Sequence, residues 1–151
     1  MDFGFSLVGL VLLVMLFVPN ILWSKYPPKD YDKYSKNENR ILLAFERIGE
    51  VLVVILSLFC GVGFSFDIIL IITFIFMALY EMYWIRYFTS PRTMHDMYGS
   101  FYGIPLPGAT LPVISFLLLG LYSDNIFLIV SSIILGIGHI GIHWGHQQEI
   151  N

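Results

Sequence analysis

The chain is short of what a soluble or nucleic-acid-binding protein needs. Only 13% of its 151 residues are charged, about half the share usual in a soluble domain. Eight basic residues against eleven acidic ones leave a formal net charge of −3, which excludes nucleic acid as a partner because a phosphate backbone demands clustered Lys and Arg. The single cysteine, Cys60, excludes an intramolecular disulfide and any multi-cysteine metal site. The N-terminus has neither the basic n-region nor the A-x-A pattern of a secretory signal peptide, so its first apolar run is expected to be a retained span.

What the chain does have is apolar length, with 57% hydrophobic residues. A helix crossing a bilayer needs roughly 20 apolar residues and must satisfy its own backbone polar groups. Five segments meet or approach that: 3–23, 41–64, 68–88, 104–122 and 125–146. The expected fold is therefore all-α, an integral membrane helical bundle of about five spans, forming one domain over residues 1–151. Pro19 and Asn20 interrupt the first span near its end. Pro105, Pro107, Gly108 and Pro112 make the fourth irregular, and a four-span alternative has it re-entrant.

The connections are polar. SKYPPKDYDKYSKNENR holds two prolines that stop the first helix and charges that resist burial. GVGFSFD and YSDN make short turns. In TSPRTMHDMYGSFYG, Ser90 is placed as a helix N-cap with Pro91 at the first helical position. Met94, Met97, Tyr98 and Phe101 follow at helical spacing, which predicts an interfacial helix lying on the headgroups.

With five spans, Lys25, Lys29, Lys33, Lys36, Arg40, Arg47, Arg86 and Arg92 all fall on one side. Basic residues near span ends stay cytoplasmic, so the N-terminus is expected outside and the C-terminus in the cytoplasm. Trp23, Trp84, Trp144, Tyr26, Tyr83 and Tyr87 collect near the same boundary and read as an aromatic belt.

Ionisable groups within spans are expensive, so each is a functional candidate. Glu46, Glu81 and His139, on three different spans, fall about 8 to 11 Å below the cytoplasmic surface at 1.5 Å per residue. Glu46, Glu50 and Ser57 lie within about 40° of one another on the second span, and Ser132, His139, His143 and His146 within about 60° on the fifth. The ligand- or ion-binding candidates are Glu46, Glu50, Glu81, His139 and His143, with Arg47 and Arg86 as counter-charges. His146, followed by Gln147, Gln148 and Glu149, is expected at the helix's wet end, and His95 in an interfacial loop.

This constellation admits several readings. It fits a buried network that only sets helix register, or a site that binds or passes a small ligand, proton or ion. A third reading is a metal-dependent membrane enzyme, with His139, His143 and Glu81 holding a divalent metal; the H-x-x-x-H spacing lacks the Glu of H-E-x-x-H. A histidine acting as general base without a metal is a fourth. Separately, Gly138, Gly141 and Gly145 form a small-residue face that could take an oligomer contact or a partner membrane protein, as a non-catalytic scaffold would.

The stretches FVPNILW, FERIGE, YEMYWIRYF, GIPLPGATLPV and LGIGHIGIH together resemble a family of small, uncharacterised bacterial multi-pass membrane proteins. The resemblance spans nearly the whole chain and implies a bacterial inner-membrane location. It carries no activity, ligand or cofactor with it.

Overall fold

The computed structural model describes residues 3–151, and these fold as an all-helical bundle. Five longer helices alternate in direction: α1 (Leu7–Lys25), α3 (Arg40–Leu58), α4 (Ile68–Thr89), α6 (Pro107–Tyr122) and α7 (Ile126–Ile150). Two five-residue helices, α2 (Tyr31–Ser35) and α5 (Met94–Tyr98), lie in the connections at the end of the bundle where α1 ends and α3 begins. That end also receives the last turns of α4 and α7, and we call it the loop end.

Helices α1, α4 and α7 are long and apolar enough to cross a membrane. Helix α6 is apolar but has only 16 residues, and α3 carries Arg40, Glu46, Arg47 and Glu50 along its 19 residues. Large apolar side chains such as Phe17, Ile48, Ile75, Ile85, Ile133 and Ile137 face outward. A soluble fold would bury them, whereas a bundle surrounded by hydrocarbon would not.

Each long helix starts where a side chain or a backbone kink permits it. Ser6 caps α1 by accepting from the Gly9 N–H, Asn39 caps α3, Asp67 caps α4 and Asn125 caps α7, each satisfying backbone donors that the first turn leaves free. The first helix thus begins at Leu7 rather than at residue 3, because residues near Gly4 run extended and pair with the chain after α3, Gly61 N–H donating to the Gly4 carbonyl at 2.8 Å. Helix α1 runs through Pro19, beside which the Asn20 side-chain amide donates to the Leu16 carbonyl at 2.7 Å.

The fourth segment forms one unbroken helix from Pro107 to Tyr122. Leu106 takes the left-handed conformation, with φ of 48°, and turns the chain into α6, where Pro107 occupies the first turn and costs no hydrogen bond. The cap expected at Ser90 falls instead on Thr93, whose hydroxyl accepts from the Asp96 N–H while Asp96 accepts from the Thr93 N–H. Arg92 intervenes with φ of 57°, which no helix continues through. The Asp96 carboxyl is held below its ordinary range: burial opposes this, and the Thr93 hydrogen bonds outweigh it.

The packing is uneven. Helix α3 lies along α7, α4 along α6 and α6 along α7, whereas α1 touches α3 and α4 only sparsely. The α3–α7 contact is backbone to backbone: a Cβ on Gly138 would overlap the Glu46 backbone, and one on Gly49 would overlap Leu135. The glycine face expected to receive a partner is therefore partly used within the chain. Gly138 and Gly141 both meet α3, while Gly145 has open space beside it.

Candidate functional site

The α3–α7 seam brings Glu46 and His139 together. With Gly138 against the Glu46 backbone, the next side chain reaches the Glu46 carboxylate, and His139 Nδ1 lies 2.5 Å from Glu46 Oε1. Glu46 is buried, and the pair supplies each partner with the hydrogen bond that burial requires.

From His139 a line of titratable rings runs down α7 to the loop end. The His139 and His143 ring centroids are 4.4 Å apart, and His143 stands edge-on to Tyr98 at 5.2 Å. Tyr98, delivered by α5, shares a 2.7 Å hydrogen bond with His146 Nδ1. His146 Nε2 then lies 3.3 Å from Glu38 Oε1, although the angle is not that of a hydrogen bond and this nitrogen is buried without one. Tyr31, in the α2 turn, stands edge-on to His146 at 5.7 Å. Burial pushes the Tyr31 hydroxyl up to about 12, helped by the charges of Glu38 and Glu46, and burial followed by the charge of Glu46 raises the Glu38 carboxyl.

His146 is thus corrected from a wet helix end to a core residue, 3% exposed, because the first loop and α5 fold over the last turns of α7. The same movement explains α5: Met94, Met97, Tyr98 and Phe101 are buried in the protein rather than laid on headgroups, and the Gln147 side chain fastens the Tyr98 carbonyl at 2.9 Å. The expected aromatic belt divides. Tyr83, Trp84 and Tyr87 are buried and pack with Tyr80 around the Trp84 ring, whereas Tyr26 and Trp144 stay exposed. His95 is exposed in the connection, apart from the line.

Glu81 does not join the group. It lies on α4, which packs on α6 and α1 rather than on α7, and one of its carboxylate oxygens is buried without a partner. Arg86 is not a counter-charge either. Its guanidinium donates to the carbonyl of Ser100 at 2.9 Å and to that of Asp96 at 3.3 Å, and lies over the Tyr83 and Phe101 rings, so it fastens the connection after α5. Arg47 does pair, with Glu50 at 2.9 Å, largely exposed on α3. Among the described residues, no three His, Cys, Asp or Glu side chains gather into a group that could hold a metal ion. His139, His143 and Glu81 fail as a set because the seam commits His139 to Glu46 and α4 carries Glu81 away.

Beside this line lies a cleft of about 580 Å³, within the range of small-molecule sites. It is bounded by α1, α3, α4, α6 and α7, with Val53, Val113, Phe116 and Leu135 among its apolar walls. Its polar groups are His139, Arg47, Glu50, Asn20, Ser24 and Tyr80. Asn20 Nδ2 donates to the Tyr80 hydroxyl at 3.0 Å, tying α1 to α4 across the cleft.

Sequence reasoning missed Glu38, Tyr31 and Tyr98 as members of the site. The polar stripe of α7 already included His146, and that stripe was the available signal; nothing periodic marks a loop residue that folds back onto it. Fold and site together define an all-helical bundle with three helices able to cross a membrane and a buried histidine–carboxylate line next to a cleft. Set against family models, curated proteins and solved structures, the chain finds no match.

Proposed function

We propose that the chain is a five-span protein of the bacterial inner membrane, basic loops and C-terminus cytoplasmic, whose cleft binds a small ligand in exchange with protons. The observation that carries this reading is the double position of His139, which lines the cleft and heads the line of side chains reaching Glu38 at the loop end. Imidazole is the side chain best suited to change charge near neutral pH. A carboxylate and three imidazoles in succession couple their titrations, so the proton count of the line responds to what occupies the cleft. Arg47 and Glu50 on α3, Tyr31 and Glu38 in the first loop, Tyr98 on α5 and Glu149 on α7 are the other ionisable groups around it.

The test is a histidine ring ¹⁵N titration of the full chain in lipid nanodiscs. The expected result is that one or more of His139, His143 and His146 changes protonation between about pH 5 and 8, and that Glu46→Gln shifts the titration of His143 and His146 as well as that of His139. Rings that hold one protonation state throughout, or that ignore Glu46→Gln, would leave a network that only sets helix register. Orientation is tested separately by labelling Lys36→Cys, expected to react only from the cytoplasmic side.

A further inference from the structure

We propose that the ligand enters the cleft sideways from the bilayer, between α1 and α3, and is a single-chain amphiphile with an uncharged, oxygen-bearing head. This rests on the reading of the cleft as a ligand site in a membrane protein.

The side opening follows from how α1 and α3 meet. They are locked together near one end, where a Cβ on Gly9 would overlap the Ser57 carbonyl, and Ser6 N–H donates to Leu58 O at 2.8 Å. Toward the loop end the cleft lies between them. Phe17 and Asn20 of α1 and Arg47, Val51 and Ile55 of α3 line the gap. Val51 and Ile55 are 59% and 51% exposed, so the lips of the gap are apolar and face outward, where lipid would lie. From Arg47 to Ile55 the cleft runs about 12 Å along α3, so it is an elongated slot, polar at one end and apolar at the other.

The chemistry of the head follows from charge matching at the polar end. Arg47 is paired with Glu50, and Glu46 with His139. The Arg47–Glu50 pair is neutral, and His139 is already engaged by Glu46, so neither guanidinium nor imidazole is left to match a charged head. A charged head would add an uncompensated charge at membrane depth, which costs several kcal/mol. An uncharged head finds suitable partners. Tyr80 accepts the Asn20 hydrogen bond and keeps its hydroxyl proton to donate, and the Asn20 carbonyl oxygen accepts no bond among the described residues. A hydroxyl or carbonyl group at the end of an apolar chain satisfies both.

The test is equilibrium binding of radiolabelled 1-monooleoylglycerol to the full chain in nanodiscs of diacyl phosphatidylcholine, with empty nanodiscs as background. One saturable site per chain is expected, and oleate should compete at least about tenfold more weakly. Val51→Phe, at the lip, should weaken binding about tenfold or more, whereas Val14→Phe, equally outward on α1 but away from the cleft, should leave it unchanged. If Val51→Phe does not fold, Ile55→Phe on the same lip replaces it. Binding no greater than in empty nanodiscs, equal competition by oleate, or indifference to both lip substitutions overturns the proposal. Saturable binding that ignores both pH and Glu46→Gln keeps the ligand class and refutes the proton-coupled reading instead.

Discussion

Helix α3 meets two partners in opposite ways. Along its loop-end half it presses backbone to backbone on α7, through Gly138 of α7 and its own Gly49, and the close approach forces Glu46 onto His139. At its far end it meets α1 backbone to backbone where Gly9 faces the Ser57 carbonyl, within a contact that is otherwise sparse. Below that crossing the larger side chains Phe17 and Val51 stand apart and the cleft opens. Repeated small residues make a seam, and a single one makes a pivot, since the spacing of two helices is set by the side chains at their contact. The seam builds the titratable line and the pivot leaves room beside it.

That contrast can be broken most severely at the seam. Gly138→Leu must drive α3 and α7 apart, and overpacking of this kind costs about 3 kcal/mol or more; thermal unfolding in nanodiscs should show the largest drop of any substitution here, with loss of the His139–Glu46 pair. At the pivot, Gly9→Val meets the Ser57 carbonyl and should cost about 1 to 3 kcal/mol. Because only one crossing is disturbed, the histidine titration should survive it. A Gly9 variant that abolishes the titration would show that pivot and seam are one unit.

Within the seam, Glu46→Gln and His139→Asn should each cost about 1 to 3 kcal/mol, since each leaves a buried polar partner unsatisfied. A double-mutant cycle should then show the two effects to be strongly non-additive. The Arg47–Glu50 pair, by contrast, is mostly exposed, and Glu50→Gln should change stability by less than about 1 kcal/mol. The smallest effect is expected at Gly145, which has open space beside it. There Gly145→Ala should stabilise α7 by about 0.5 to 1 kcal/mol through helix propensity alone, and a loss of stability would mean that this face is covered.

Much of this architecture was legible before any coordinates. Runs of apolar residues bounded by SKYPPKDYDKYSKNENR, GVGFSFD and YSDN mark the long helices to within about four residues, except that the second, expected to reach residue 64, ends at Leu58, because the need to satisfy backbone groups in an apolar setting leaves few alternatives. The wheel of α7 already aligned His139, His143 and His146. A helical period, however, states which way a residue points around its own axis and not which neighbour it meets. For that reason Glu81, which counting along the spans puts level with Glu46, groups with it by sequence although α4 carries it elsewhere. For the same reason the sequence suggests Arg86 as a counter-charge although it fastens carbonyls of the next connection.

What the sequence by itself determined is composition-driven: an all-helical chain with outward apolar faces, one basic end, and a polar stripe on α3 and on α7. The tertiary structure alone decided which polar groups touch. It brought Glu38, Tyr31 and Tyr98 from non-periodic connections onto His146, excluded Glu81, and left a cleft lined by both α1 and α3. The physical reason is that partition into an apolar medium depends on each segment's own residues, whereas contact depends on the distance between segments, and that distance is set jointly by glycines and bulky residues on two helices at once.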